Sequence, residues 1–206
     1  IIELISSGGL AGQVIIALLF VLLIAVIYIY FERLFAIKAA SNVDSNFMNQ
    51  IKDHVTNGKI DSAQMLCAQV NSPVSRLINK GITRIGKPLE DINTAIENAG
   101  RLELYGLEKN VSVLATISSI APMIGFLGTV IGMILSIFEI ANSGGQIDIK
   151  QLSDGLYTAM TTTVAGLIVG IVAYTAYNHL VVRTDKVVYQ MESNSLEFLD
   201  HLNEPI

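Results

Sequence analysis

The chain has 206 residues, of which 51% are hydrophobic and 15% charged, and its mean hydropathy is +0.54. This composition is too apolar for an ordinary soluble domain of this size and indicates a membrane protein. The net charge of −5 gives no overall basic footprint for nucleic acid, which is therefore not expected as a partner. The single Cys67 excludes an internal disulfide and a multi-cysteine metal site, and no cofactor is expected.

Three long stretches contain no Asp, Glu, Lys or Arg. Each holds 28 or 29 residues, and the charged residues that bound them are Glu3 and Glu32, Lys109 and Glu139, and Asp154 and Arg183. A helix that crosses a bilayer needs about 20 residues. The sequence therefore predicts an all-α membrane protein with three transmembrane helices.

The Lys and Arg residues are distributed unevenly along the chain. Of the 13, 12 lie in the blocks 33–109 and 183–186, and only Lys150 lies elsewhere. Positive residues near the ends of spans stay on the cytoplasmic side of a membrane. We therefore expect the N-terminus and the Lys150 loop to lie outside, and the 33–110 block and the C-terminus to lie in the cytoplasm.

These patterns divide the chain into seven segments. In order, they are a periplasmic interfacial segment at 1–13, transmembrane helix 1 at 14–31, a cytoplasmic helical domain at 32–110, transmembrane helix 2 at 111–140, a periplasmic loop at 141–155, transmembrane helix 3 at 156–182 and a cytoplasmic C-terminal helix at 183–206. Because the chain opens at Ile1 without Met, we expect further residues before it. The first apolar stretch has no basic region or cleavage pattern before it, so it is predicted to be a retained anchor.

The cytoplasmic segments show helical periodicity. Apolar residues follow 3–4 spacing in three groups: Val74, Leu77, Ile78, Ile82 and Ile85; Leu89, Ile92, Ile96 and Ala99; and Val188, Met191, Phe198 and Leu202. Pro73 and Pro88 each suit the first turn of a new helix. The sequence predicts a helical bundle here, onto which the C-terminal helix packs.

The second and third predicted transmembrane helices are rich in small and hydroxyl-bearing residues. Residues at spacings of 4, 3 and 4 share one helix face, and two such series occur: Gly125, Thr129, Gly132 and Ser136, then Ala159, Thr163, Gly166 and Gly170. Gly128 with Gly132, and Gly166 with Gly170, form GxxxG pairs. The third helix also carries Thr158, Thr161 and Thr162.

Two interpretations of these faces remain open. In the first, Gly125, Gly128, Gly132, Gly166 and Gly170 let helices approach closely, and Thr hydroxyls bond locally at about 0.6 kcal/mol each. In the second, hydroxyls line a polar passage through the bilayer. Pro122 removes a backbone donor and frees the carbonyl of Ser118, so a bend is expected there. The simpler interpretation of this bend is a role in helix packing.

Neither helix carries an acid, Lys or Arg in its middle. A protein that moves protons by itself would usually bury an ionisable group at that depth. Glu139 and Asp154 lie at the outer ends, and His179 near the inner end is interpreted as an interfacial residue. If this protein conducts protons, the titrating carboxylate must come from another chain.

At these residues the sequence resembles the MotA/TolQ/ExbB family of proton-channel motor subunits, and most closely its three-span ExbB and TolQ branch. The stretches that carry the resemblance are APMIGFLGTVIGMILSIFEIA at 121–141 and TTVAGLIVGIVAYTAYN at 162–178. The cytoplasmic insertion after the first span and the Glu32–Arg33 pair also match.

The resemblance implies a homo-oligomer, usually of five copies, in the bacterial inner membrane, whose second and third spans surround a pore. The pore would hold single transmembrane helices of an ExbD- or TolR-like partner that bring an essential Asp. Proton flow would drive rotation and energise TonB- or TolA-type outer-membrane processes.

The resemblance also assigns residues. Thr129 and Thr163 match the pore threonines of the family, with Thr158, Thr162 and Ser136 as further candidates for the proton pathway. The pattern of the family has a Glu one helical turn and a residue before the pore threonine, where this chain has Thr158. Proton transfer would then depend more on hydroxyls, water and the partner carboxylate.

Two other classes of function compete. A non-conducting membrane scaffold for an envelope complex would use the same helices for packing alone. An intramembrane enzyme would need a recognisable motif, but Ser118, Ser119 and His179 form none, and no HExxH spacing occurs. The sequence therefore favours a proton-driven subunit that is not an enzyme.

Overall fold

A computed structural model of the protein describes residues 10–42, 44, 46–142 and 149–203. Within these ranges the chain is helical and contains no strand. Its helices are α1 (Leu10–Ala40), α2 (Phe47–Thr56), α3 (Ile60–Val70), α4 (Pro73–Ile82), α5 (Leu89–Glu108), α6 (Val111–Asn142) and α7 (Ile149–Asn203). The predicted all-α fold is confirmed.

Three of these helices are long and apolar enough to cross a membrane: Ala11–Ala40, Val111–Asn142 and Leu152–Asn203. The predicted number of transmembrane helices is therefore confirmed. Much of the predicted interfacial segment 1–13 and of the loop 141–155 lies outside the described residues.

The helices extend further than the predicted spans. Helix α1 begins at Leu10 and continues to Ala40, and α7 begins at Ile149 and runs without interruption to Asn203. Charged residues such as Arg183 mark where a stretch becomes polar, but they do not end a helix. No Gly or Pro lies between Gly170 and Pro205, so the sequence holds no residue that would stop α7 earlier.

The chain divides into two compact units. Unit 1 contains α1 as far as Phe31 together with the described residues of 110–179, and unit 2 contains the described residues of 32–109 and 180–203. Helices α1 and α7 contribute residues to both units. Unit 1 carries all the candidate pathway residues.

The core of unit 2 follows the predicted periodicity. The apolar residues of α4 are at most 3% exposed, and Ile92 and Ile96 of α5 are buried as well. Phe198 of α7 is fully buried and packs against Gly81, where an added Cβ would lie 2.7 Å from its Cε1. Leu89, which shares the spacing of Ile92, is the first residue of its helix and is 39% exposed.

The two prolines begin helices as the sequence predicts. Pro73 occupies the first turn of α4, and Ser72 before it forms a capping box with Ser75. The Ser75 backbone N–H donates to Ser72 Oγ (3.1 Å), and the Ser72 N–H donates to Ser75 Oγ (2.9 Å). Pro88 is the N-cap of α5, where the missing proline N–H is not needed.

Candidate functional site

Helices α6 and α7 approach each other so closely that their backbones touch at glycine. A Cβ added to Gly125 would lie 2.8 Å from the Thr162 carbonyl oxygen and 3.1 Å from the Gly166 Cα. A Cβ on Gly166 would lie 2.6 Å from the Ala121 carbonyl oxygen. Backbone atoms cannot move aside as a flexible side chain can, so both positions require glycine at this separation of the helices.

The other small residues of the two helices continue this contact. A Cβ on Gly132 would lie 3.1 Å from the Gly155 carbonyl oxygen, and one on Gly170 would lie 2.7 Å from the Pro122 Cγ. The Pro122 ring thus packs against Gly170, and α6 remains one helix across the proline. Close approach between helices is the use that small residues have in membranes.

The hydroxyl groups of Thr129 and Thr163 meet between the two helices. They form a hydrogen bond with each other. Thr129 Oγ1 also lies 2.9 Å from the Ala159 carbonyl oxygen, and Thr163 Oγ1 lies 3.2 Å from the Gly125 carbonyl oxygen. Both side chains are half-buried. The two residues that match the pore threonines of the family are therefore in contact.

The hydroxyls of Thr129 and Thr163 have more hydrogen-bond contacts than hydrogens to donate. Each hydroxyl supplies one hydrogen, so two hydrogens serve three contacts: the Thr–Thr bond and the two carbonyls. Two patterns satisfy the geometry. Either Thr129 donates to Ala159 and Thr163 donates to Thr129, or Thr129 donates to Thr163 and Thr163 donates to Gly125. Rotation of the hydroxyls exchanges the two patterns without any movement of the helices.

The remaining predicted pathway residues have different surroundings. Thr158, Thr162 and Ser136 are buried within the single chain. Each hydroxyl donates to a carbonyl of its own helix, and the acceptors are Asp154 at 2.8 Å, Ala159 at 2.9 Å and Gly132 at 2.9 Å respectively. Their part in a proton pathway stays a prediction.

Glycines of neighbouring helices contact these three side chains. A Cβ added to Gly12 of α1 would collide with the Thr158 methyl, and one added to Gly128 would collide with Thr162. A Cβ on Gly155 would collide with Ser136 Oγ. In one copy of the chain, these hydroxyl-bearing residues therefore fill the space that glycines leave.

A contact between α1 and α7 is not predicted by the sequence. Tyr30 Oη and His179 Nδ1 form a hydrogen bond of 2.8 Å, and the ring centroids are 5.8 Å apart. From the sequence, His179 is interpreted only as an interfacial residue. Because they lie 149 residues apart, no local pattern could have paired them.

Charged groups occur only at the edges of this site. Asp154 is exposed near the start of α7, and the side chain of Glu139, which the sequence places at the outer end of its helix, lies outside the described residues. Among the described residues, no group of three His, Cys, Asp or Glu side chains is placed to hold a metal ion. The chemistry that the site offers is hydrogen bonding by hydroxyls.

This chain is similar in sequence to a family of known proteins. Residues 69–193 match the MotA/TolQ/ExbB proton channel family. An ExbB homologue of Methanothermobacter thermautotrophicus is 25% identical over 93% of this chain and 67% of its own length. The TolQ protein of the Tol-Pal system of Haemophilus influenzae is 29% identical over 74% of this chain and 69% of its own.

Shorter matches are more similar. The biopolymer transport protein ExbB of Helicobacter pylori is 40% identical over 38% of this chain and 54% of its own length. The chain thus spans from about half to two thirds of the length of the relatives described here. The matched region contains α6, the transmembrane part of α7 and the Thr129–Thr163 pair. This chain therefore belongs to the MotA/TolQ/ExbB proton channel family.

Proposed function

We propose that this protein is the ring-forming subunit of a proton-driven motor in the bacterial inner membrane. Membership of the MotA/TolQ/ExbB proton channel family supports a channel-type subunit. Relatives named as biopolymer transport protein ExbB and as the TolQ protein of the Tol-Pal system favour a role in a TonB- or Tol-like system. In this proposal the motor energises a TonB- or TolA-like protein that acts on the outer membrane.

The proposed assembly contains five copies whose α6 and α7 helices surround a pore. The pore holds the single transmembrane helices of an ExbD- or TolR-like partner, and the partner supplies the titrating carboxylate. The composition of α6 and α7 supports this division of labour, because positions 110–138 and 155–182 contain no Asp, Glu, Lys or Arg. A proton pathway through these stretches needs an acid from elsewhere.

The observation that carries the proposal is the hydrogen-bond arrangement of Thr129 and Thr163. With two hydrogens for three contacts, one hydroxyl can turn its hydrogen toward a carboxylate and leave its former carbonyl acceptor with one bond fewer. Hydrogen bonds to the charged form of an acid favour ionisation, which burial in the membrane opposes. The pair therefore provides a place where an incoming carboxylate can release its proton.

The energy source fits a stepwise cycle. A proton that crosses the membrane potential releases about 2.3 kcal/mol per 100 mV. A hydrogen bond to a charged group is worth about 1.5–3 kcal/mol. The energy that one proton supplies is thus of the same order as one hydroxyl–carboxylate contact, and the partner helix can advance from one copy to the next as such contacts are exchanged.

Proton flux through the reconstituted complex tests the proposal. The chain is co-purified with its single-span partner and inserted into vesicles that contain a pH-sensitive dye. Thr129→Val and Thr163→Val keep the side-chain shape and remove the hydroxyl, and each is expected to reduce proton flux at least tenfold. Thr175→Val is the matched control, because the Thr175 side chain is exposed and donates only within α7, to Ile171.

The same experiment separates the motor from a non-conducting scaffold. The glycine contacts of α6 and α7 would serve either role. A scaffold predicts no proton flux in the wild-type complex and effects of both Thr variants on assembly alone. Wild-type flux that both variants leave unchanged would contradict the pathway through Thr129 and Thr163.

A further inference from the structure

A groove lies between α4 and α5 in unit 2, whereas the residues of the proposed proton pathway belong to unit 1. Its volume is about 560 Å³. Its basic wall comes from Lys80 of α4 and Arg84 just after it, and Ala95, Ala99 and Leu102 of α5 contribute apolar surface. The groove therefore combines positive charge with an apolar surface.

The positive charge of this groove is not neutralised inside the chain. Arg76, which also lines the groove, is paired with Glu103 through two hydrogen bonds of 2.6 Å. Lys80 and Arg84 are exposed, and neither has an ion-pair partner in the part of the chain that the structure describes. The charged residues that line the groove thus carry a net charge of +2, although the net charge of the whole protein is −5.

The surrounding sequence keeps acids away from this wall. Residues 62–89 contain no Asp or Glu but carry Arg76, Lys80, Arg84 and Lys87. On an ordinary protein surface both signs of charge are interspersed. The charged residues that this run contributes to the groove are Arg76, Lys80 and Arg84, all of them basic, and this favours an anionic occupant.

Asn79 gives a second reason, independent of charge, to expect an occupant in the groove. Its side chain lines the same groove, and its Oδ1 atom is buried without a hydrogen-bond partner among the described residues. A buried acceptor without a donor is unfavourable by about 1–3 kcal/mol. A ligand with an N–H group would remove this deficit once the carboxamide turns toward it. Simple anions such as sulfate have no such donor.

The apolar surface narrows the class of occupant further. Leu102 is 75% exposed and lies beside Ala95 and Ala99 in the lining, so the groove offers an apolar surface next to its basic wall. An occupant that satisfies the groove needs a carboxylate for Lys80 and Arg84, an N–H donor for Asn79 and an apolar side chain for Leu102. A peptide segment with acidic residues beside a leucine has all three.

We propose that the α4–α5 groove is a docking site for an acidic, leucine-containing peptide segment of another protein. Charge complementarity brings the segment to the groove and aligns it, and contact with Leu102 and the two alanines stabilises the bound state. This inference does not depend on proton conduction, because none of its residues belongs to unit 1. It adds a partner contact to the proposed motor subunit.

Binding of a short labelled peptide tests the proposal. The full chain is placed in nanodiscs of zwitterionic lipid, and the probe is fluorescein-labelled Gly-Glu-Asp-Leu-Glu-Gly, followed by fluorescence anisotropy. We expect saturable binding that weakens as salt is raised. A probe with Lys in place of each acid should not bind, and a probe with Ser in place of Leu should bind several-fold more weakly. Wild-type protein that fails to bind the acidic probe would overturn the proposal.

Charge reversal provides the matched controls. Lys80→Glu and Arg84→Glu should each weaken binding about tenfold or more, which corresponds to about 1.4 kcal/mol. Lys59→Glu makes the same change of charge at an exposed lysine outside the groove and should leave binding within about twofold. Equal effects of Lys80→Glu and Lys59→Glu would mean that only the net charge of the protein attracts the probe, and this would contradict a site in the groove.

Further variants separate the possible occupants. Leu102→Ser should weaken binding, whereas Leu196→Ser, at a leucine that is 63% exposed outside this groove, should not. The mass of the complex is measured for every variant. A change of mass in Lys80→Glu with unchanged probe affinity would identify the groove as a contact between copies of this chain, and the proposal of a peptide partner would be wrong.

Discussion

Gly125 and Gly166 lie at a close backbone contact between α6 and α7. A Cβ placed on Gly166 would lie 2.9 Å from the Gly125 Cα, and one placed on Gly125 would lie 3.1 Å from the Gly166 Cα. The relationship is therefore reciprocal, and each glycine leaves the space that the other backbone fills. The same approach brings the Thr163 hydroxyl within 3.2 Å of the Gly125 carbonyl oxygen.

Gly166→Ala is expected to separate the two helices and to weaken the contact between Thr129 and Thr163. The added methyl would lie 2.6 Å from the Ala121 carbonyl oxygen, and overpacking of this kind costs about 1–3 kcal/mol. The free energy of unfolding in detergent should fall by this amount.

Gly106→Ala is the control for this change. Gly106 is also helical, but a Cβ there would have no atom within 4 Å. The free energy of unfolding should stay constant or rise by about 0.5–1 kcal/mol, because alanine is the better helix former. A Gly166→Ala variant as stable as Gly106→Ala would refute the tight contact between α6 and α7.

The Thr129–Thr163 hydrogen bond should appear as a coupling energy between the two residues. In a double-mutant cycle with Thr129→Val and Thr163→Val, the two losses of unfolding free energy should fail to add by about 0.6 kcal/mol. A second cycle with Thr163→Val and Thr175→Val should show no coupling, because Thr175 donates to Ile171 of its own helix. Additivity in the first cycle would mean that the two hydroxyls do not interact.

Which residues share a face of α6 or of α7 could be predicted from spacing alone. Intervals of 4, 3 and 4 return to the same side of a helix, so the order of residues along the chain assigns Gly125, Thr129, Gly166 and Thr163 to shared faces. The structure brings all four of these residues to the contact between the two helices. Local periodicity is enough to find such a face because it depends on one helix at a time.

The surroundings of the neighbouring threonines could not be predicted in the same way. Thr162 and Thr163 differ by about 100° in direction, and Thr158 lies one turn before Thr162 on a similar side of the helix, yet these residues meet different neighbours. Thr158 lies against Gly12 of α1, and Thr162 lies against Gly128 of α6. Sequence shows that hydroxyls are concentrated in α7, but only the packing of α1 and α6 decides which neighbour each one meets.

Cys67 should react slowly with alkylating reagents as long as the protein is folded. Burial raises the pKa of its thiol from the ordinary value of 9.0 to about 12. Only the thiolate reacts, and a difference of three pKa units lowers its fraction at pH 8 by about a thousandfold. Alkylation by iodoacetamide at pH 8, followed by mass spectrometry, should proceed only after denaturation. Rapid alkylation of the folded protein would contradict the burial of this side chain.

The same shift predicts a loss of stability at high pH. Because the folded pKa lies above the ordinary value, the protonated thiol contributes its stabilisation fully below pH 9, and this contribution is lost as the pH rises toward 12. The free energy of unfolding should therefore fall more steeply between pH 9 and pH 11 in the wild type than in Cys67→Ala, which has no thiol. Equal slopes in the wild type and in Cys67→Ala would show that the Cys67 thiol has the same pKa in the folded and unfolded protein.

Phe198 should be the main anchor of the C-terminal part of α7 in unit 2. Its side chain is fully buried, and a Cβ on Gly81 would lie 2.7 Å from its ring. Phe198→Ala removes a large side chain from a closed site, and such changes cost about 3–5 kcal/mol. Leu196→Ala is the control, because Leu196 lies two residues earlier on the same helix and is 63% exposed.

Hydrogen exchange can localise the effect of this change. In Phe198→Ala, the amides of α4 and of residues 190–203 should lose protection together, because the same ring contacts both segments, whereas Leu196→Ala should leave both protected. Loss of protection in residues 190–203 alone would mean that α4 is stable without the ring. Joint loss would instead make Phe198 the residue through which the end of α7 stabilises α4.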